Sequence, residues 1–117
     1  MTGDEVGMRP QPPLVLFDRD AYLYSFLSVG ALQSWFEPLM EEEMARCFDS
    51  LGRGVVVQPV GPTWQARIAT AENDDESLRA LALAFLQRFE PDKLNMAELP
   101  AQSMVGALAS LRRYAIA

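Results

Sequence analysis

Sixteen carboxylates are the main chemical resource of this 117-residue sequence, set beside ten basic side chains, one cysteine and no histidine. Two carboxylates flanking one bond would suit a glycosidase or an aspartic protease. Sixteen acids form many pairs, however, and no spacing singles one out. Asp18 and Asp20 could share a metal or a proton, but on either side of Arg19 between two apolar runs they read more simply as turn formers that accept backbone hydrogen bonds. Without histidine the chain has no imidazole base, no His-based triad and no imidazole metal ligand, so zinc chemistry is close to excluded. Cys47 has no second cysteine to pair with, and in a strand the neighbouring Arg46 points to the opposite face. A buried structural thiol is the expected state. No cofactor and no metal are expected.

Gly52-Arg53-Gly54 lacks the longer glycine-rich stretch, lysine and hydroxyl of a phosphate loop, and reads as a hairpin. The basic residues are scattered and the formal charge is −6, which argues against nucleic acid as a partner. Trp35 and Trp64 lie in apolar patterns and read as core residues. A membrane partner is not expected either: no polar helix face is rich in lysine or arginine, and no run approaches the roughly 18 apolar residues of a spanning helix. The start carries Asp4 and Glu5 and lacks the basic segment and long apolar stretch of a signal peptide, so the expected location is cytoplasmic.

The elements that must position these residues fit a single domain. Residues 1–13, with Gly3, Gly7, Pro10, Pro12 and Pro13, read as a flexible leader, and residues 14–117 as one α+β domain. Leu14 to Phe17 and Ala21 to Phe26 are short β-type runs around the Asp18-Arg19-Asp20 turn. Ser28 can cap a short helix through Val29, Leu32 and Phe36, which Pro38 ends. Met44 to Phe48, Val55 to Val60 and the alternating run from Trp64 to Ala69 form a three-stranded antiparallel meander within residues 44–70, with Gly52 or Gly54 supplying a positive φ in the first loop and Gly61-Pro62 marking the second. Trp64, Ala66 and Ile68 make its buried face; Gln65, Arg67 and Ala69 make the wet one.

Leu78, Leu81, Ala82, Phe85, Leu86 and Phe89 share one helical face, capped by Asn73 or Asp74 and closed by Pro91. Burying that face contributes several kcal/mol at about 25 cal/mol per Å² of apolar area. Met104, Leu108, Leu111 and Ala115 form a last helical stripe, with Arg112 and Arg113 near its C-terminus. The expected fold is a four- or five-stranded, mostly antiparallel sheet with helices packed on one face, in the order ββαβββαα. In it, Leu78, Phe85 and Phe89 would meet the Trp64, Ala66 and Ile68 face.

The acids are unevenly placed. Glu37, Glu41, Glu42 and Glu43 fall within residues 37–43, and Glu72, Asp74, Asp75 and Glu76 within residues 72–76, with no base in either window. The rest of the chain holds 8 acids and 10 bases, so the two windows account for more than the whole net charge. The second window opens the best helix, where carboxylates favour the dipole and the free amides, yet four exceed what capping needs. The first reads as a solvated loop. Together they would attract a basic partner.

The succession Tyr22-Leu-Tyr-Ser-Phe26, a helix ending in Trp35-Phe-Glu-Pro38, Phe48-Asp-Ser-Leu-Gly-Arg53, and an acidic start to a leucine-rich helix resembles small bacterial immunity proteins encoded beside polymorphic toxins. The resemblance spans roughly residues 14–89, and the last helix, from about Ser103, has no counterpart in it. It implies a protein that binds a cognate toxin and blocks its active site. Glu37, Pro38, Asp49, Gly52 and Arg53 match the pattern as scaffold residues and do not locate the binding surface.

The expected function is therefore an immunity-type inhibitor of a toxin or effector domain with a basic cleft, and not an enzyme. Its expected contacts are Glu41, Glu42, Glu43, Asp74, Asp75 and Glu76, and its expected state is a monomer or small homo-oligomer. The alternative is a small acidic secretion chaperone, which would need a dimer and a long exposed apolar groove.

Overall fold

The computed structural model describes residues 9–37 and 44–116. It is an α+β fold in the expected order. β1 (Leu14–Asp18), β2 (Leu23–Phe26), α1 (Val29–Trp35), β3 (Met44–Phe48), β4 (Arg53–Val60), β5 (Thr63–Asn73) and α2 (Asp75–Phe89) are followed by a 3₁₀ segment (Pro91–Glu98), α3 (Ala101–Ala109) and a 3₁₀ turn (Arg112–Tyr114). The five strands form one sheet in the order β2-β1-β3-β4-β5, every neighbouring pair antiparallel.

Alternation along β1 divides the core. Val15 and Phe17 face one side with Leu23 and Phe48, where α2, the first 3₁₀ segment and α3 bring Leu78, Ala82, Phe85, Leu86, Ala97, Met104, Val105 and Leu108. Leu14 and Leu16 face the other side with Phe26, Cys47, Val55, Val57, Ala66 and Ile68, covered by Leu32 and Phe36 from α1 and the residue after it. The two long helices thus share a face, while α1 lies on the opposite one and reaches both edge strands, β2 and β5.

The expected match of Leu78, Phe85 and Phe89 to Trp64, Ala66 and Ile68 is overturned for the same reason. Cys47 pairs with Val55, and Val55 with Ile68; paired residues of antiparallel strands project to one side, so Ala66 and Ile68 belong to the α1 face. The α2 stripe meets Phe17 instead, with the Phe17 and Phe85 ring centroids 6.5 Å apart.

Local chemistry explains the boundaries. Asp18 Oδ1 accepts from the Asp20 and Tyr22 amides at 2.9 and 3.0 Å, and Oδ2 accepts from the Tyr24 hydroxyl at 3.1 Å. Asp18 is a turn former, and with Ala21 at φ 63° the turn takes two residues from the expected second strand. Ser28 Oγ accepts from the Ala31 amide and caps α1, and Asp74 Oδ1 accepts from the Ser77 amide and caps α2. The last helix is shorter than its stripe. It stops at Ala109, where the Ser110 amide turns back onto Gly106 and Ala107 and Leu111 takes an extended conformation. Leu111 and Ala115 are therefore not on it, and Arg112 and Arg113 sit in the following 3₁₀ turn.

Of the segment read as a flexible leader, the residues from Arg9 to Pro13 are docked. The Gln11 amide donates to Asp49 Oδ2 at 3.0 Å, and its carbonyl accepts from the Ser50 amide at 2.8 Å.

Candidate functional site

The second acidic window is the corner where β5 gives way to α2. Asp74 is half-buried and already engaged: its Oδ2 accepts from Arg46 Nη2 at 2.9 Å while Oδ1 caps the helix. The Arg46 guanidinium, then the Ser77 amide, hold its carboxyl below the usual carboxylate range. Asp75 and Glu76, in the first turn of α2, are exposed, and their side chains make no hydrogen bond or ion pair among the described residues. Glu72 is exposed at the end of β5. The three expected contacts here thus divide into one capping residue and two solvent-facing charges. Arg46 reaches Asp74 because it shares a strand face with Phe48, over whose ring its guanidinium lies at 4.9 Å.

Of the first window only Glu37 is described, and it is exposed. Pro38, Glu41, Glu42 and Glu43 lie outside the described residues. Phe36, just before Glu37, packs edge-to-face on Trp64 with ring centroids 4.8 Å apart. Trp64, near the start of β5, pairs with Pro59, and Asn73, its last residue, pairs with Arg53, so Glu37 and the Asp75 and Glu76 corner sit toward opposite ends of that strand, roughly 20 Å apart at about 3.3 Å per β4 residue.

Between α1 and the β4–β5 turn lies a cleft of about 520 Å³ lined by Gln33, Ser34, Phe36, Pro62, Thr63 and Trp64, within the range of ligand and anchor pockets. Gln33 is fixed there, its Oε1 accepting from the Ala66 amide at 2.9 Å on the outer edge of β5. Thr63 Oγ1 donates to the Val60 carbonyl at 3.0 Å and so offers only lone pairs outward. Trp35 and Trp64 are both half-buried, and Trp64 contributes to a wall as well as to the core.

The other matching residues form a knot. Asp49 is fully buried and Arg53 is 8% exposed. Asp49 Oδ2 accepts from Arg53 Nη2 at 2.7 Å and Nε at 3.1 Å, and Oδ1 accepts from the Leu51 and Arg53 amides at 3.1 and 3.0 Å. Arg53 Nη2 also reaches the Arg9 carbonyl at 3.3 Å. Gly52 takes φ +81°, its carbonyl accepts from the Asp74 amide, and a Cβ there would lie 2.6 Å from that of Ala101. Only glycine fits such a turn against α3. Cys47, next to this knot, is buried, and burial first, then Asp49, pushes its thiol up to about 12. It is a neutral thiol at physiological pH.

Sequence reasoning missed one polar cluster. The Tyr114 hydroxyl donates to Glu90 Oε2 at 2.6 Å, Lys93 Nζ approaches Oε1 at 3.4 Å and Arg113 Nη1 lies 3.7 Å from Oε2. Its signal was slight, a lone tyrosine outside the apolar stripe. Burial and the Glu90 carboxylate push the Tyr114 phenol up to about 12. Since this pKa is raised above its unfolded value of 10.0, the Tyr114 contribution is complete below pH 10 and disappears as pH rises toward 12. Tyr114→Phe should therefore flatten the decline of the urea midpoint between pH 10 and 12 relative to the parent chain; an unchanged slope would reject the assignment.

Among the described residues no three His, Cys, Asp or Glu side chains are placed to hold a metal ion, and no helix is long and apolar enough to cross a membrane. Fold and surface define a small antiparallel α+β protein whose buried Asp49–Arg53 pair knits the scaffold and whose acids Glu37, Asp75 and Glu76 are exposed. No family model, curated protein or solved structure matches the chain.

Proposed function

We propose that this chain is an immunity-type binding protein that inhibits a cognate toxin or effector domain by docking acidic residues on a basic surface of that domain. The observation that carries the reading is the α2 corner: Asp75 and Glu76 project into solvent beside a third acid, Asp74, that is locked in place by Arg46. Charge held on the rigid start of a helix loses little freedom on binding. It also steers a basic partner at long range. Glu41, Glu42 and Glu43 remain candidate contacts by sequence alone, and the partner is a protein, not nucleic acid or membrane.

The chaperone alternative fits less well. The large apolar side chains that are exposed among the described residues, Leu27, Leu51, Val56, Val60, Leu83, Leu94 and Ile116, are distributed over the β2 end, the hairpin turn, β4, α2, the 3₁₀ segment and the C-terminal stretch. They come from separate elements, not from one continuous stretch.

Co-expression with the product of the neighbouring gene tests the function directly. That product should be toxic alone, harmless with this chain, and copurify with it. Against the purified partner, Asp75→Lys with Glu76→Lys should slow association on the order of 3- to 10-fold at low salt and flatten its salt dependence. An unchanged rate would sink the α2 corner as a contact while leaving inhibition through another surface open.

A further inference from the structure

We propose that the cleft between α1 and the β4–β5 turn receives the guanidinium of an arginine presented by the basic protein partner, an inference that rests on the proposed function and adds a second anchor to it. The cleft combines an aromatic wall, a fixed acceptor and a favourable charge. Trp64, half-buried beside Phe36, presents an indole, the side chain best suited to a cation lying over its ring. Thr63 Oγ1 has committed its proton to the Val60 carbonyl and can only accept from a ligand N–H. Gln33, Ser34, Phe36, Pro62, Thr63 and Trp64 bring no charge of their own, and the chain continues from Phe36 into exposed Glu37. Among the described residues no cation lines the cleft to repel a guanidinium, and Glu37, the charge nearest to Phe36 in sequence, attracts it.

Arginine suits this arrangement better than lysine. Its planar group can lie against the indole and still direct N–H groups to the rim, whereas an ammonium is compact and more strongly hydrated. Pockets that accept a single arginine or aromatic side chain are the usual energetic centres of protein interfaces. The cleft and the Asp75 and Glu76 corner lie toward opposite ends of β5, so a partner engaging both would span the length of that strand.

Residue-resolved NMR titration of the full chain with a hexa-arginine peptide, and in parallel with hexa-lysine, tests this. Hexa-arginine should move the Trp64 indole N–H and the Gln33 and Thr63 amides in a saturable way. Hexa-lysine, at equal charge, should bind there at least about twofold more weakly, because an ammonium can also face the ring but is more strongly hydrated and cannot lie flat against it. Thr63→Val, which keeps the strand-compatible shape, and Trp64→Leu should each weaken the arginine response at the cleft. Shifts confined to Asp75 and Glu76 would overturn the cleft and leave the α2 corner standing. Equal responses to the two peptides at the cleft would overturn the guanidinium assignment. If neither region moves and the neighbouring gene product also fails to copurify, the cleft and the inhibitor reading fail together.

Discussion

Asp49→Ala should destabilise the fold by about 3 to 5 kcal/mol, the cost of removing one partner from a buried ion pair. Asp49 accepts from five donors: the Gln11, Leu51 and Arg53 amides and two nitrogens of the Arg53 guanidinium. Alanine would take the carboxylate acceptor away from all of them. The guanidinium is the most expensive loss, because Arg53 is 8% exposed and gives up both of its bonds to a buried carboxylate. Urea unfolding of the variant measures the loss, and a value below about 1 kcal/mol would mean that water reaches the knot. Asp49→Leu combined with Arg53→Met separates desolvation from the ion pair. Replacing both charges by apolar groups can approach neutrality, so the double variant should recover much of the stability that the single one lacks.

Phe85→Ala carries a comparable expectation, about 3 to 5 kcal/mol, as the deletion of a large core aromatic. Phe85 has no exposed surface and its ring meets Phe17, Phe89 and Tyr114 at centroid distances of 6.5, 5.5 and 4.8 Å. Double-mutant cycles can also establish which side of the sheet it occupies. Phe85→Ala with Phe17→Leu should be non-additive by at least about 0.5 kcal/mol, while Phe85→Ala with Ile68→Val should be additive within about 0.5 kcal/mol. Coupling to Ile68 in place of Phe17 would restore the packing that periodicity alone suggested.

Those two side chains mark the limit of what periodicity could say. The α2 stripe, the Ser28 cap, an α2 cap at Asn73 or Asp74, a positive-φ turn at Gly52 or Gly54 and the meander were legible because each depends on residues close together in sequence. Which sheet face α2 covers depends on the register of β3 against β4, a non-local quantity: Cys47 opposite Val55 sets the sidedness of Ala66 and Ile68 at a distance. The end of α3 was lost for a related reason. Leu111 and Ala115 keep helical spacing, but Tyr114 is held by Phe85 and Glu90 from α2 and the residue after it, and that tertiary anchor outweighs local propensity.

The site divides in the same manner. Charge counting found Asp75 and Glu76 because exposure is the default for such residues. It could not see that Asp74 is held by a strand arginine 28 positions away in sequence. Nor could it find the cleft, whose walls come from α1, the residue after it and a turn that approach only when the sheet is assembled.

The knot around Asp49 separates two kinds of acid. One carboxylate is sealed inside and joins the Arg9 to Gln11 stretch to the β3–β4 turn, whose Gly52 in turn contacts the starts of α2 and α3. Asp75, Glu76 and Glu37 stand outside that web. Substitution at the outer positions can accumulate without disturbing the inner one, so the recognition code can drift as fast as a partner changes while the architecture that displays it stays fixed. A lineage of such chains would diverge first in its exposed acids and last in Asp49, Gly52 and Arg53.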